Sequence, residues 1–198
     1  TDTKVTELTI TGSLDARDFK YMADKCNDLT AVDLSSAKIL AYEGAEPVFG
    51  QQITYQANEI PQTSFFGKPL TSVVLPSGVR IVGYAAFAGC ESITQIEFPA
   101  SLDSISGYAF SATGFSTLAL PATVTKIGEG AFSRCEKLTS ATVEAGHIGA
   151  KAFFADAALT DVKFGSGVTA IGNGAFAGCK SLATLRWSDA THLTLIAN

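Results

Sequence analysis

The stretch IGEGAFSRCEKLTSATVEAG, residues 127–146, decides the fold, because related versions of it recur along the chain. Its core is Ile-Gly-x-x-Ala-Phe, followed by a cysteine and a short apolar segment. The other versions are IPQTSFFGKPLTSVVLP (60–76), VGYAAFAGCESITQIEFP (82–99), ISGYAFSATGFSTLALP (105–121), IGAKAFFADAALTDVKFG (148–165) and IGNGAFAGCKSLATLRWS (171–188). The aligned aromatic residues lie 22, 23, 22, 21 and 23 residues apart, at Phe65, Phe87, Phe110, Phe132, Phe153 and Phe176. This period predicts a solenoid, in which each repeat buries its apolar face against its neighbours.

Each repeat is predicted to contain one strand with the scheme apolar-x-x-apolar-x-apolar, for example Leu159, Val162 and Phe164. The predicted strands are 70–75, 93–98, 115–120, 138–143, 159–164 and 182–187. Their three apolar positions should point inward and stack into continuous rows. A second apolar row follows the strands, at Val79, Leu102, Val124 and Val168, and His147 is predicted to take the same place in its own repeat. The Ile-Gly-x-x-Ala-Phe segment should then return the chain along the convex side, with its glycine permitting a tight turn.

The first 59 residues follow the repeat less closely. They predict a strand at 5–10, an amphipathic helix at 13–26 with Ser13 as N-cap, and a second strand at 29–35. About 18 residues are inserted within 37–60, and they carry Tyr42, Phe49 and Tyr55. Long inserted loops are often functional, although these aromatic residues could equally fold back over a flank of the solenoid. The tail 189–198 is too short for another repeat and could pair with the last strand to close the edge.

Composition excludes several classes of protein. The net charge is −5 and no basic stripe is present, which argues against a nucleic-acid partner. No run of about 18 apolar residues exists that could span a membrane. The sequence opens without a charged and then apolar leader, so we expect a mature or trimmed form, or a protein that was never exported.

The four cysteines, Cys26, Cys90, Cys135 and Cys179, are predicted to be buried free thiols. Each precedes the first apolar residue of a strand by three positions, on every second strand of the series. With strands about 4.8 Å apart, neighbouring cysteines would lie roughly 10 Å apart, whereas a disulfide needs a Cα separation below about 7 Å. No C-x-x-C pair is present that could hold zinc.

The unit I-G-x-x-A-F-x-G-C-x-S-L-x-x-L resembles the BspA-type leucine-rich repeat of bacterial surface proteins, most closely at IGNGAFAGCKSLATL and VGYAAFAGCESITQIEFP. The resemblance covers 60–188, and residues 5–59 look like the divergent first repeats of such arrays. It implies an α/β repeat solenoid: a right-handed leucine-rich-repeat array with a parallel β-sheet on the concave face and short helical or irregular segments on the convex face. We therefore expect residues 1–198 to form a single domain. The resemblance also implies an extracellular or cell-surface location and a protein-binding or adhesive role.

No enzymatic site is predicted. Only two histidines are present, His147 and His192, about two repeats apart, and both are assigned structural or surface roles. The sequence contains no G-x-S-x-G, H-E-x-x-H or phosphate-binding glycine motif. We expect no catalytic residue, no cofactor and no metal.

Protein binding is the favoured hypothesis. The outward strand positions are acidic early in the chain and gain cations late, and they lack the aromatic residues that usually dominate binding hot spots. We therefore expect a partner to contact the aromatic insertion, with polar contacts from the strands. The candidate residues are Tyr42, Phe49, Tyr55, Asp33, Gln95, Glu97, Asp161, Lys163 and Arg186.

The expected partner is a host extracellular or matrix protein, bound by a monomer without nucleic acid or membrane insertion. The alternative is a passive spacer domain within a larger surface protein. Carbohydrate binding is less favoured, because the strand face carries no aromatic platform.

Overall fold

The computed structural model describes residues 4–188 and 195–196, and the described chain winds as a parallel β-solenoid of about eight turns with little helix. The helix α1 spans Ala16–Lys25. The strands are β1 (Glu7–Thr9), β2 (Gly12–Leu14), β3 (Ala31–Asp33), β4 (Ala37–Ile39), β5 (Tyr42–Glu43), β6 (Thr54–Tyr55), β7 (Glu59–Ile60), β8 (Ser72–Val74), β9 (Ile81–Val82), β10 (Ser104–Ile105), β11 (Thr117–Leu120), β12 (Lys126–Ile127), β13 (Ser140–Ile148), β14 (Asp161–Ile171), β15 (Thr184–Trp187) and β16 (Leu195–Ile196). The leucine-rich-repeat fold that the sequence pattern predicts is confirmed.

The strands form two rows, and most turns of the solenoid contribute to both. The first row, called here the concave sheet, contains β1, β3 and β8, and further along β11, β13, β14 and β15. The second row runs from β7 through β9, β10 and β12 to β13, β14 and β16. Every pair in these rows is parallel, and β13 and β14 are long enough to belong to both.

The phenylalanine row runs through the interior as a stack. Successive rings from Phe65 to Phe176 have centroids 5.1, 5.2, 5.6, 5.4 and 5.2 Å apart, and their planes differ by at most 16°. The first five of these rings are fully buried. The ring of Phe19 in α1 meets Phe65 edge-on at 6.1 Å and continues the row into the helix. The regular spacing of the phenylalanines in the sequence therefore corresponds to this stack of rings in the core.

The glycine of Ile-Gly-x-x-Ala-Phe begins a tight turn, as predicted, since its carbonyl accepts the N–H three residues later (Ala131 to Gly128, Ala152 to Gly149, Ala175 to Gly172). It also allows successive turns of the solenoid to approach closely. A Cβ atom on Gly128 would lie 2.4 Å from the backbone nitrogen of Gly107. On Gly149 it would lie 2.6 Å from the carbonyl carbon of Gly128, and on Gly172 2.5 Å from the nitrogen of Ala150. Real Cβ contacts of this length do not occur, so any side chain here would push two turns apart.

The helix begins two residues later than predicted. Asp15 is the N-cap and forms a capping box with Asp18, while Ser13 lies in β2. Phe19 is buried on the face toward the solenoid. At the other end, the ammonium group of Lys68 donates to the carbonyl oxygens of Ala23 (3.0 Å) and Cys26 (2.9 Å). A cation at this position satisfies the free carbonyls of the last turn and complements the helix dipole.

The insertion folds back over the flank at α1. Strands β5 and β6 pair antiparallel, and Tyr42 and Tyr55 are partners in this hairpin. Phe49 and Tyr55 are 5% and 2% exposed, with ring centroids 6.3 Å apart. The cation of Lys20 on α1 lies 5.9 Å from the Phe49 ring centroid. The insertion is therefore part of the core at this end.

Two local predictions were wrong. Residues 93–98 are not paired as a strand, and this is where the concave sheet is interrupted. His147 does not take the inward place of Val168: Gly146 is the register partner of Val168, and His147 is exposed. The segment that follows the strand is short in this repeat, so β13 continues without a turn. Its register against β14 shifts between Val143 and Ala145 and again between Gly146 and His147.

The predicted strands at 5–10 and 29–35 are present as the shorter β1 and β3. Most of the tail 189–198 lies outside the described residues. Its described part, β16, pairs in parallel with Ala170 and Ile171 of β14, so the tail extends the second row.

Candidate functional site

The concave sheet presents a row of outward side chains that alternate with the buried ones along each strand. Gln95, Glu97, Lys163 and Arg186 are exposed, and Asp33 and Asp161 are half-buried. Register fixes their neighbours: Asp33 of β3 lies between Thr9 of β1 and Val74 of β8. This arrangement is an open polar surface rather than a closed pocket.

The early part of this surface is acidic. Glu7 lies at the outer edge on β1, followed by Asp33 on β3 and then Glu97. The carboxylate of Asp33 accepts the backbone N–H of Ser35 at 2.8 Å, and hydrogen bonding from Ser35 lowers the pKa of Asp33. Asp33 is therefore ionised at neutral pH.

The late part carries the cations. Arg186 Nε lies 3.1 Å from Asp161 Oδ1 in an ion pair whose arginine is exposed and whose carboxylate oxygen is buried. Lys163 and Arg186 are register partners on β14 and β15, so two positive side chains stand next to each other. Asp161 pairs with one of them, and the carboxylate of Glu144 on β13 reaches Gly165 of β14, so the late end carries both cations and carboxylates, unlike the acidic early end.

A groove opens on this surface where the sheet is interrupted. It encloses about 590 Å³ between β8 and residues 93–98, and Ser35 lies at its margin. Gln95 and Glu97 line it, so two of the predicted site residues meet there. Asp161, Lys163 and Arg186 form a separate group on β14 and β15.

The insertion residues form a third group, packed on α1. The guanidinium of Arg17 lies 5.3 Å from the ring centroid of Tyr42, which is half-buried. With Phe49 and Tyr55 buried, the exposed apolar side chains of the insertion are instead Leu40 (40% exposed) and Ile53 (44% exposed). The three groups of predicted site residues do not converge on one pocket.

Exposed aromatic residues occur elsewhere, at positions that the strand pattern does not predict. Tyr84 is 53% exposed and meets Tyr108 edge-on at 5.8 Å, and Phe66 is 62% exposed. All three belong to the segments around the Ile-Gly-x-x-Ala-Phe motif. In the sequence, Tyr84 and Tyr108 stand out because the equivalent positions of another repeat are Ala150 and Lys151.

The cysteines are free thiols, as predicted, and Cys26, Cys90 and Cys135 are buried whereas Cys179 is only half-buried. The thiol of Cys90 donates to the carbonyl of Phe65 at 3.0 Å, and that of Cys179 to Phe153 at 3.0 Å. Burial raises the pKa of Cys90 and Cys135 to about 12, and that of Cys179 to about 11. These thiols are protonated at neutral pH and are poor nucleophiles or metal ligands.

Other candidates for chemistry are scattered. Within the described ranges, 4–188 and 195–196, no group of three or more His, Cys, Asp and Glu side chains is arranged to hold a metal ion. His147 is exposed, and His192 lies outside the described residues. In the part of the chain that the structure describes, no helix has the length and apolar character needed to cross a membrane.

Comparison with known proteins agrees with this geometry. The family described as BspA type Leucine rich repeat region matches residues 58–189 in six copies, and the chain belongs to that family. No curated protein sequence matches the chain significantly.

Among solved structures, the chain is similar to a leucine-rich repeat protein from Bacteroides ovatus ATCC 8483 (TM-score 0.57, 18% identity), over 94% of this chain and 54% of that one. It thus spans about half the length of that protein. A leucine-rich repeat protein of T. pallidum is also similar, with a TM-score of 0.47 and 27% identity over 63% of this chain and 71% of that one. The first likeness supports the solenoid fold.

Proposed function

We propose that this chain is a non-enzymatic protein-binding module of a bacterial surface or secreted protein, adhesin-like in its role. The observation that carries the proposal is the concave sheet, whose outward face is open and polar, with carboxylates at its early end and the cations Lys163 and Arg186 at its late end. An interface of this kind recruits a partner by charge complementarity, which sets orientation and association rate. The family, described by its repeat, is consistent with an interaction module.

The partner in this proposal is an extracellular or matrix protein of a host. Six of the residues named from the sequence lie on or beside the concave sheet and would contribute to the contact: Asp33, Gln95, Glu97, Asp161, Lys163 and Arg186. Tyr42, Phe49 and Tyr55 would contribute mainly by holding the insertion against α1, because two of them are buried.

Charge reversal at the two ends of the sheet tests the proposal. Purified matrix proteins would be titrated over the immobilised chain, comparing wild type with Asp33→Lys and Lys163→Glu. Each reversal should weaken a saturable interaction by about twofold to fivefold, the range for exposed charge pairs. Lys126→Glu is the control, because Lys126 is exposed on β12, away from the concave sheet. Equal affinity for all four proteins would refute a concave-face contact.

The alternative is a rigid spacer within a longer surface protein. The continuous phenylalanine row favours stiffness, since each turn is fixed to the next by ring stacking. A spacer predicts no saturable binding to any matrix protein, so the same titration separates the two functions.

A further inference from the structure

Another groove lies away from the concave sheet, on the surface formed by the Ile-Gly-x-x-Ala-Phe segments. It encloses about 310 Å³, a volume at the lower end of the range for small-ligand sites. It crosses three successive turns, those of Phe110, Phe132 and Phe153. The side chains that line it are Tyr108, Ser111, Ser133, Arg134, Lys151 and Phe154.

Two exposed cations stand at this groove without a counter-ion. Three of the four arginines form ion pairs with aspartates, namely Arg17, Arg80 and Arg186. In the described part of the chain, Arg134 and Lys151 form none. Glu91 and Glu136 line a neighbouring groove that shares Arg134, but neither is within ion-pair distance of it. An anion in the groove would therefore meet two unpaired cations, and a guanidinium matches the geometry of a carboxylate or sulfate.

The fold does not require these large side chains at their positions. Tyr108, Arg134 and Lys151 have φ of 55°, 59° and 55°, in the left-handed region that disfavours side chains. Other turns place smaller residues there. The equivalents of Arg134 are Gly67, Gly89, Ala112, Ala155 and Gly178, and those of Tyr108 and Lys151 include Ala85, Gly130 and Gly174.

Aromatic rings flank the groove on two sides. A Cβ atom on Gly130 would lie 2.5 Å from Tyr108 Cε1, so the tyrosine ring packs directly against this glycine. The hydroxyl of Tyr108 donates to Glu129 Oε1 at 3.4 Å, and this carboxylate lies outside the groove lining. Tyr84 extends the aromatic surface by one turn, and Phe154 is half-buried on the opposite side. The aromatic platform that the concave strands lack is thus present here, and aromatic rings pack well against the C–H face of a sugar.

The groove also offers hydroxyl groups. The Oγ atoms of Ser111 and Ser133 lie 3.0 Å apart, and Ser133 donates to the carbonyl of Gly130 at 2.8 Å. Ser111 is therefore the donor within the pair, and its oxygen keeps lone pairs that can accept an O–H group from a ligand. Ser111 is half-buried and accessible from the groove.

We propose that this groove binds an acidic saccharide. A sugar ring lies between Tyr108 and Phe154, its carboxylate or sulfate pairs with Arg134 and Lys151, and its hydroxyls donate to Ser111. An acidic peptide would satisfy the cations but would supply no hydroxyls for the serine. This site is separate from the concave sheet and goes beyond the proposed protein-binding function.

Titration of the whole ¹⁵N-labelled chain with a hyaluronan tetrasaccharide tests the proposal. This probe alternates carboxylate-bearing and uncharged sugar rings. It should shift the amide signals of Ser111, Gly130, Arg134 and Lys151 in a saturable way. A heparin tetrasaccharide distinguishes a sulfate from a carboxylate as the anion, and saturable binding of either probe at these amides supports the site.

Two matched probes separate charge from ring. Chitotetraose has sugar rings without charge, and tetraglutamate has charge without sugar rings. Each should bind at least about threefold more weakly than the better acidic tetrasaccharide, the scale of one exposed ion pair or one aromatic contact. Equal binding of chitotetraose would overturn the role of the cations. Equal binding of tetraglutamate would make the groove a site for acidic peptides and overturn the saccharide.

Protein variants locate the site. Arg134→Ala, Lys151→Ala and Tyr108→Ala each introduce the alanine that another turn carries at the same position, at Ala112 or Ala85, so the fold should be retained. Each should weaken saccharide binding about threefold or more. Lys180→Ala is the matched control, because it removes one exposed cation that does not line the groove, and it should bind as wild type does.

Failure of this inference is separable from failure of the proposed function. If neither acidic tetrasaccharide binds, or if all three groove variants bind like Lys180→Ala, the saccharide site is rejected. Capture of matrix proteins, tested with Asp33→Lys and Lys163→Glu, is decided independently. Arg134→Ala should capture matrix proteins as wild type does, and a loss of both activities in this variant would contradict two separate sites.

Discussion

At the scale of single residues, the position three residues after each stacked phenylalanine accepts side chains of different polarity and charge. Its occupants are Lys68, Cys90, Thr113, Cys135, Asp156 and Cys179. Cys90 and Thr113 donate to a backbone carbonyl, and Lys68 reaches the end of α1. Every occupant so described satisfies a buried polar group, which explains why the cysteine is replaceable.

Among the residues at this position, Asp156 is the one whose burial costs the most free energy. Its carboxyl is fully buried, Oδ1 accepts the N–H of Cys135 at 2.8 Å, and Oδ2 has no hydrogen-bond partner. Burial raises the pKa of Asp156 to about 8. The folded chain therefore keeps this proton over a pH range in which the unfolded chain, with an ordinary carboxyl, releases it.

This difference predicts stability that falls with rising pH. Below about pH 4 the group is protonated in both states, and between about pH 4 and 8 the free energy of unfolding should decrease by up to ~1.4 kcal/mol per pH unit. Above the folded pKa the loss should level off. Asp156→Thr is the matched variant, since Thr113 occupies the same slot with its hydroxyl bonded at 2.9 Å to Phe110. Urea titrations from pH 4.5 to 8.5 measure the effect; a constant difference between the two proteins would contradict it.

The phenylalanine stack makes a second prediction at this scale. Phe132 lies between Phe110 and Phe153, at 5.6 and 5.4 Å. Phe132→Ala should lower the free energy of unfolding by about 3–5 kcal/mol, because it leaves a cavity in a continuous row. Tyr84→Ala is the exposed aromatic control and should change it by less than about 0.5 kcal/mol. Thermal or urea unfolding measures both, and equal losses would argue against a buried stack.

At the scale of one element, the unpaired segment 93–98 has an identifiable cause. Phe98 occupies the innermost strand position, which Leu75 and Leu120 occupy in the neighbouring repeats. Its ring packs edge-on against Phe110 at 5.5 Å and Phe115 at 6.5 Å, both later in the chain. We attribute the break to these contacts, which draw the segment away from β8.

Reducing this side chain should close the break. In Phe98→Leu the contacts with Phe110 and Phe115 are weakened, and residues 93–98 should pair with β8 as their sequence pattern predicts. The amides of Gln95 and Glu97 should then exchange with deuterium more slowly than in wild type, measured site by site by NMR. Unchanged or faster exchange at both amides would show that the phenylalanine is not the cause.

At the scale of the whole molecule, the solenoid is unevenly packed along its length. The middle turns bury their apolar side chains completely, since Phe132, Leu138 and Val143 are all 0% exposed. In the last turn the corresponding Phe176 and Leu182 are half-buried, and Leu185 is 41% exposed. A repeat that contacts a neighbour on one side only is held by fewer interactions.

Hydrogen exchange of the whole chain should follow this gradient. Peptides covering the turn of Phe132 should exchange slowest, and those covering residues 176–187 should exchange clearly faster, because local opening costs less where fewer apolar groups are buried. Mass spectrometry after pulse labelling measures the profile. Uniform protection from α1 to residue 187 would contradict a chain stabilised turn by turn.

Much of the fold was predictable because it is periodic. The spacing of the phenylalanines and the apolar rows depend on contacts between equivalent residues in adjacent turns, and the cysteines are free because they occupy alternate turns. The candidate surface was only partly predictable: the alternation along strands identified Asp33, Lys163 and Arg186 as outward residues, and the structure places them so. The sequence left two alternatives for the aromatic insertion, contact with a partner or folding back over a flank, and the structure shows Phe49 and Tyr55 buried against that flank.

The sequence by itself determined the parallel solenoid, its period and its aromatic core, because each repeat carries the same pattern and has the same neighbours. Only the tertiary structure decided where the pattern fails: the break at 93–98, the exposed His147 and the insertion packed on α1. These depend on how particular side chains fit between turns, since a ring such as Phe98 can satisfy the apolar pattern and still prevent the backbone from pairing.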